Sequence, residues 1–163
     1  MIETPLVMYD DDHRKIQAVL LRLVRDANAK GIFLVDKNGQ LVAEAGEMRG
    51  IDSTSLASLT AGNIAATGGL AKIIGEEEFP IHFHQGQRDN LHITIVAGRI
   101  ILVVVFDERS SLGLVRLRVK KGGAELGHIF EEIRKKTERA QASGAGSPFS
   151  EITDDDIDNL FSE

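Results

Sequence analysis

Apolar residues recur at helical spacing near the start of the chain, behind three consecutive aspartates. The residues that share this spacing are Ile16, Val19, Leu20, Leu23 and Ala27. Negative charge is favoured in the first turn of a helix, because the helix dipole is positive there. The pattern therefore predicts an amphipathic helix that begins at the aspartates and packs one side against a core.

Two short apolar runs, GIFLVD and QLVAEAG, follow this segment and flank the tripeptide Lys37-Asn38-Gly39. The dipeptide Asn-Gly tolerates the positive φ values of a tight turn. Two extended runs joined by such a dipeptide are typical of neighbouring antiparallel strands. We therefore predict a β-hairpin at this point of the chain.

A long segment rich in small residues comes next. Asp52 or Ser53 fits the N-cap of a helix, and Gly75 fits its end. The large apolar residues between these limits are Leu56, Leu59, Leu70, Ile73 and Ile74. Their positions predict a second helix that extends to about Ile74.

Residues 78–85 alternate in the manner of a half-buried strand. One face carries Phe79, Ile81 and Phe83, and the other carries Pro80, His82 and His84. Since proline cannot donate a hydrogen bond to a neighbouring strand, we expect this strand at an edge of the sheet.

The remaining pattern predicts two further strands and a third helix. The run LHITIV alternates, whereas RIILVVVFD is apolar on both faces and indicates a central strand. A helix should follow Ser110 or Ser111 and be interrupted near Gly122-Gly123. Its apolar stripe comprises Leu112, Val115, Val119, Leu126, Ile129, Phe130 and Ile133. The order α-β-β-α-β-β-β-α predicts an α/β protein, a three-layer α-β-α sandwich around a five-stranded, mainly antiparallel sheet.

Composition narrows the range of functions. The chain has 163 residues, a net charge of -6 and no cysteine, and its isoelectric point is near 5.4. The lack of cysteine excludes disulfides, thiolate metal sites and a cysteine nucleophile, and fits a reducing compartment. The acidic balance argues against general nucleic-acid binding. Because the start is unlike a signal peptide and no apolar run reaches about 18 residues, we expect a cytoplasmic protein without a membrane span.

The negative charge is concentrated at the C-terminus. From residue 142 onward there are six acidic residues and no basic one, whereas the preceding residues hold 19 of each. We divide the chain into a domain (1–140), a flexible linker (141–150) and an acidic amphipathic interaction motif (151–163). The motif presents Ile157, Leu160 and Phe161 behind three aspartates, as a short helix that folds on binding would. A frayed end is the alternative.

The stretch SLTAGNIAATGGLAKIIG raises the question of a phosphate-binding loop. Five residues separate Gly62 from Gly68, and no Gly-Lys-Ser or Gly-Lys-Thr follows, so the spacing of such a loop is absent. A helix through this stretch places four small residues on one face, namely Ala61, Ala65, Gly68 and Gly69. This face either admits a partner surface or packs on the protein's own sheet.

Reactive side chains are present without the context of an active site. His82 and His84 share a strand face, and His92 completes a Zn²⁺-binding triad if the strand register allows it, but no nearby carboxylate supports the site. Solvent-facing histidines are the favoured interpretation. The other candidate groups are Ser110, Ser111 and His128, and the carboxylates Asp107 and Glu108. They lack a nucleophile elbow or a spaced pair, so we expect no catalytic centre, metal or cofactor.

The last helix also carries a basic face. Its members are Arg116, Arg118, Lys120, Lys121, Arg134, Lys135, Lys136 and Arg139. Such a face is ordinarily solvated. An acidic partner, a membrane surface and the chain's own acidic tail are the alternatives that its charge allows.

Several blocks together resemble the Roadblock (dynein light chain) domain family. They are the helix SLASLTAGNIAATGGLAKIIGE, the hairpin FLVDKNGQLV and the segment LVVVFDERSSLGLVRLRVKK, in the predicted element order. With the ending GSPFSEITDDDIDNLFSE, they are similar to the bacterial mutual gliding regulators within that family. The resemblance covers nearly the whole chain.

The resemblance implies a homodimer. In these proteins the third strands of two copies pair into one sheet, which makes residues 78–85 the dimer strand, with Phe79, Ile81 and Phe83. An edge strand is suited to this role because its backbone groups would otherwise be unpaired.

The resemblance also implies a partner, a small Ras-like GTPase that binds once per dimer on the paired central helices. The positions that match its contact residues are Arg14, Lys15, Ala61, Ala65, Thr67, Gly69 and Lys72. Hydrolysis of GTP would be stimulated without an arginine finger. Separately from the resemblance, we predict that the tail residues Ile157, Leu160 and Phe161 dock on the GTPase near its nucleotide pocket and alter nucleotide exchange or affinity. The implied setting is polarity or gliding motility, with a place at a cell pole. A structural dimeric adaptor with no effect on hydrolysis is the alternative.

Overall fold

The computed structural model describes residues 5–47 and 49–143. The elements in chain order are α1 (Asp10–Asp26), β1 (Gly31–Asp36), β2 (Leu41–Gly46), α2 (Ser53–Ile73), β3 (Ile81–Gln85), β4 (Asn90–Val96), β5 (Ile100–Phe106) and α3 (Leu112–Ala142). This is the predicted order, and the predicted fold class is confirmed.

The five strands form one antiparallel sheet in the order β2-β1-β5-β4-β3. Strand β5 is central and all seven of its residues are buried, as expected for a run that is apolar on both faces. Strand β3 lies at the edge, as Pro80 predicted. The hairpin between β1 and β2 turns through Gly39, whose φ of 89° lies in the left-handed region.

The helices cover the two faces of the sheet. Helices α1 and α3 pack together on one face, and all five residues predicted for the apolar side of α1 are buried there. On the other face, Ala57 and Ile64 of α2 pack on Phe33, Val35 and their neighbours. The result is the three-layer sandwich, with a separate apolar cluster on each side of the sheet.

Helix α3 corrects the expectation of an interruption at Gly122-Gly123. It runs unbroken from Leu112 to Ala142, with Ser111 as its N-cap. Gly122 is buried against Leu23, so close helix packing explains the glycine. The helix extends two residues beyond the predicted domain limit of 140. Residues 144–163, with most of the predicted linker and the whole terminal motif, lie outside the described ranges.

None of the helices within residues 5–47 and 49–143 is both long enough and apolar enough to cross a membrane.

Candidate functional site

Helix α2 meets its own sheet through a narrow line of residues. The buried ones are Ala57, Thr60, Ile64 and Ala71. Asp52 caps the helix by accepting a hydrogen bond from the backbone N–H of Ser55 at 3.1 Å, and the Ser55 hydroxyl donates to the same carboxylate, which lowers the pKa of Asp52. Because the glycine-rich stretch lies inside this helix, it is not a phosphate-binding loop. Most of the circumference of α2 is left without cover by the described chain.

One side of α2 exposes large aliphatic side chains. Leu59, Leu70 and Ile73 are 74%, 58% and 82% exposed, and we call them the aliphatic ridge. They lie on one side because their spacings of 11 and 3 residues are close to whole helical turns. Ile74, at the C-cap, is also exposed. A contiguous row of exposed leucine and isoleucine is unusual on the surface of a monomer and is typical of a contact surface. These side chains were expected as the large apolar residues of the second helix, but their exposure was not predicted from the sequence.

The adjacent side of α2 consists of small residues. We use the name small-residue flank for four small residues and the lysine that follows them on the same side, namely Ala61, Gly62, Ala65, Gly69 and Lys72. At 100° per residue, these five positions lie within about a third of a turn around the helix axis. Gly62, Gly68 and Gly69 have no atom within 4 Å of a Cβ built on them. The three glycines are therefore not required by packing within the described chain.

The N-terminal part of this flank has an internal neighbour. A Cβ built on Gly39 in the hairpin turn would lie 3.2 Å from Cα of Ser58 and 3.6 Å from Cβ of Ala61. Ala61 therefore supports the hairpin and is only half-exposed, whereas Ala65, Gly69 and Lys72 are exposed. Packing within the protein thus explains Ala61, whereas the exposed Ala65 and Gly69 have no such explanation among the described residues.

Thr67 does not belong to the small-residue flank. It is half-buried, and its hydroxyl donates to the carbonyl oxygens of Asn63 and Ile64 at 2.8 and 3.1 Å. Helical geometry places it at least 120° from Ala61, Ala65 and the rest of the flank. Its hydrogen-bonding group is satisfied within its own helix.

Arg14 and Lys15 are separated from the α2 residues by the sheet. Both are exposed on α1, which lies in the layer opposite α2. Arg14 is 3.7 Å from Asp11 in an ion pair whose side chains are about 80% exposed. One surface of a single protomer therefore does not contain all seven predicted contact residues.

The edge strand begins later than predicted, at Ile81. Phe79 precedes β3 and is half-buried, with its ring 6.2 Å from that of His82. Ile81 and Phe83 are 52% and 39% exposed and lie on the face of the sheet that carries α1 and α3. The ring of Phe83 stacks on Phe106 at 6.2 Å. The free backbone edge of β3 and these two side chains remain available to another chain.

The strand register separates the three candidate metal ligands. Phe83 pairs with His92, and His82 pairs with Ile93. Directly opposed residues point to the same face, so His92 lies on the face opposite His82 and His84. The imidazole triad is not formed, and His92 is buried rather than solvent-facing.

The other candidate reactive groups have structural partners. The Ser110 hydroxyl donates to the carbonyl oxygen of Ala27, and Ser111 accepts from the N–H of Leu114 at the start of α3. Arg109 donates to Asp107 through its side chain and backbone, which lowers the pKa of that carboxyl. These residues form caps and turns and do not converge on a site.

The chain is similar to a known domain family and to solved structures of bacterial proteins. Residues 15–106 match the model of the Roadblock/LC7 domain. The chain is 63% identical to MglB of Myxococcus xanthus, with a TM-score of 0.74 over 78% of this chain and 96% of the other. It is 35% identical to the gliding protein MglB of Thermus thermophilus, with a TM-score of 0.74 over 80% and 99% of the two chains.

A third solved structure, described as MglB with a tetrameric arrangement, is also 35% identical, with a TM-score of 0.75 over 81% of this chain and 99% of that chain. The family model covers more than half of the sequence, and the element order and sheet topology agree with it. The chain belongs to the Roadblock/LC7 domain family.

Proposed function

We propose that this protein is a homodimeric activator of a small Ras-like GTPase of the MglA type. The observation that carries the proposal is the open space around Gly62, Gly68 and Gly69 on an otherwise well-formed helix. The 63% identity to MglB of Myxococcus xanthus supports the choice of partner. One GTPase binds per dimer, on the small-residue flank of α2.

The energetic argument concerns helix stability. A glycine in a helix interior costs about 1 kcal/mol relative to alanine. Three glycines occur in α2, and no described neighbour requires any of them. A partner that must approach the helix backbone closely gives these residues a function, because even a methyl group would separate the two surfaces.

The proposed mechanism places the chemistry in the partner. Helix α2 contains no arginine, and Lys72 is its one charged residue. Its exposed surface offers shape and a single lysine at its C-terminal end, and no arginine to insert beside the γ-phosphate. The activator works by binding one conformation of the GTPase switch segments more tightly, which orders the partner's own catalytic residues. The protein then has no active site and needs no cofactor.

The dimer uses the surfaces that remain exposed beside the flank. The backbone edge of β3 pairs with the same strand of a second copy, and the aliphatic ridge of α2 packs against its symmetry mate. This arrangement buries Leu59, Leu70 and Ile73 and leaves the small-residue flanks on the shared outer surface. Arg14 and Lys15, in the other layer, contribute only if the GTPase reaches round the dimer.

The terminal motif has a second role. Ile157, Leu160 and Phe161 dock near the nucleotide pocket of the GTPase, held at high effective concentration by the preceding linker. Truncation after Ser143 should change affinity, hydrolysis or nucleotide exchange. If all three quantities are unchanged, this role is wrong. The biological process is polarity or gliding motility, with the dimer at a cell pole.

The deciding experiment is GTP turnover by a cognate MglA-type GTPase, measured with and without the protein. Ala65→Arg and Gly69→Arg should abolish stimulation, because both project a long side chain into the proposed contact. Ala124→Arg is the matched control, since Ala124 is exposed on α3 in the opposite layer. Stimulation that survives Ala65→Arg would show that the flank is not the contact.

Binding and stimulation are measured separately. One outcome is that the unsubstituted protein binds the GTPase without changing GTP turnover and that Ala65→Arg abolishes that binding. This pair of results would identify the protein as a structural adaptor and not an activator.

A further inference from the structure

A groove of about 550 Å³ lies between α3 and the strands β3 and β4, in the layer opposite the small-residue flank. Its apolar wall includes Ile81, Val96 and Val119. Arg116 and Lys120, both exposed, line the side formed by α3. The groove thus combines an apolar wall with a positively charged rim.

A residue that lines this groove has a buried polar atom without a partner among the described residues. His92 lines the groove and is only 2% exposed. Its Nδ1 lies 3.2 Å from the Thr94 hydroxyl, while its Nε2 is buried and has no hydrogen-bond partner among the described residues. A neutral ring that accepts from Thr94 carries its proton on Nε2, which is then a donor without an acceptor. Such an orphan is costly unless an occupant supplies an oxygen.

The charges of α3 divide along its length. In the C-terminal half, Arg134 pairs with Glu131 and Glu138, Lys135 with Glu132, and Lys136 with Asp12. In the N-terminal half, Arg116 and Lys120 form no ion pair with any residue of 5–47 or 49–143. The basic face is therefore neutralised at one end and unpaired beside the groove.

We propose that the groove is the resting site of this chain's own acidic terminal motif, residues 151–163. The aspartates of the motif pair with Arg116 and Lys120, a carboxylate accepts from Nε2 of His92, and Ile157, Leu160 and Phe161 cover the apolar wall. The motif and the groove are complementary in both charge and apolar character. The motif holds all six acidic residues that follow residue 142, and no basic one.

The chain is long enough to make this connection. Lys120 precedes the end of α3 at Ala142 by 22 residues, or about 33 Å of helix. Residues 143–157 number 15 and span up to about 50 Å when extended. The motif therefore reaches back along α3 to the groove of the same protomer.

The consequence is competition between the groove and the GTPase for the motif, which rests on the proposed function. The same three apolar residues cannot cover the groove and contact a GTPase at once, so the motif is released when the partner binds. Docking on the groove itself requires no GTPase and is tested in the full chain alone.

The test uses disulfide formation, which is unambiguous because the sequence contains no cysteine. Gly123→Cys is combined with Ile157→Cys, a position on the apolar side of the motif that faces the groove; Gly123 lines the groove, and an added Cβ would meet only Val96, at 3.9 Å. The control pairs Ile157→Cys with Lys135→Cys, an exposed position nearer to the origin of the tail. A tail that samples space at random would react faster with the control position.

We expect the Gly123→Cys pair to form a disulfide within one chain at least about tenfold faster than the control. Arg116→Glu with Lys120→Glu should remove this advantage, and adding Asp155→Lys with Asp156→Lys should restore it. Equal or slower cross-linking than the control, cross-links only between two chains, or insensitivity to the charge reversals would overturn the proposal. Because the assay contains no GTPase, its failure leaves the proposed activator function to be judged by turnover.

Discussion

Gly122 of α3 faces Leu23 of α1 so closely that a methyl group fits between the helices only if Leu23 shifts by a few tenths of an ångström. A Cβ built on Gly122 would lie 3.1 Å from Cδ2 and 3.2 Å from Cδ1 of Leu23. Leu23 is itself buried in the cluster between α1, α3 and the sheet. The glycine therefore sets the separation of the two helices, and its helix-weakening effect is offset by packing.

Gly122→Ala should destabilise the protein relative to Gly123→Ala. Both substitutions improve helix propensity by about 1 kcal/mol, but only the first overpacks a buried leucine, at a cost of about 1–3 kcal/mol. The free energies of unfolding in urea should differ by that overpacking cost. Equal stabilities would show that Leu23 moves aside freely.

Gly69→Ala, in contrast to Gly122→Ala, should stabilise the protein, and it should also weaken stimulation of the GTPase. The site is open, so the variant should gain up to about 1 kcal/mol in unfolding free energy, yet it should stimulate the GTPase less at subsaturating concentration. Gly113→Ala is the control, because that glycine of α3 also has open space around it. A stabilised Gly69→Ala variant with full stimulation would contradict the close-approach argument.

Local patterns were sufficient to predict most of the fold. The apolar side of α1, the turn at Gly39 and the buried β5 are each determined by residues close together in sequence. The interruption of α3 predicted at Gly122-Gly123 was wrong. The low helix propensity of glycine can be seen in the local sequence, whereas the contact of Gly122 with Leu23 joins two helices that are far apart in sequence.

The site was predictable only in part, since it depends on register and layer assignment. Nothing in the alternation of β3 and β4 fixes that His92 opposes Phe83. The sequence therefore left the histidine triad open as an alternative, and it predicted the burial of His92 wrongly when it favoured solvent-facing histidines. Arg14 and Ala65 were grouped because both match contact positions in the family that the sequence resembles, and local patterns do not show that α1 and α2 lie on opposite faces of the sheet. One feature of the sequence could have predicted the aliphatic ridge. Large apolar residues occur on more than one side of α2, and the protein's own sheet can cover only one side.

His92 should make stability depend on pH. Burial and then the nearby positive charge of Arg116 lower its pKa below the ordinary histidine value of 6.5. As pH falls, the unfolded chain takes up the proton first, so the stabilisation is complete above about pH 6.5 and is lost as pH falls toward the depressed folded-state value.

This pH dependence is measured in the chain truncated after Ser143, in which no tail carboxylate can accept from the ring and oppose the lowered pKa. The unfolding free energy of this chain should fall more between about pH 7.5 and pH 5 than that of the same chain with His92→Gln, which removes the titrating ring. His84→Gln is the control for loss of an exposed imidazole and should follow the unsubstituted protein. If His92→Gln shows the same pH dependence as the unsubstituted protein, the ring is not shielded from protonation.

The oligomeric state should depend on the aliphatic ridge. In a two-fold dimer each substituted residue occurs twice at the interface, and the loss of each large aliphatic side chain costs about 1.5–3 kcal/mol. Ile73→Glu should therefore weaken dimerisation at least about a hundredfold, which light scattering over a concentration series measures. Leu21→Glu changes a leucine of α1 that is 55% exposed and should leave the dimer intact. A dimer that persists in Ile73→Glu and Ile81→Lys alike would place the interface elsewhere, and the small-residue flanks of two copies would then not form one shared surface.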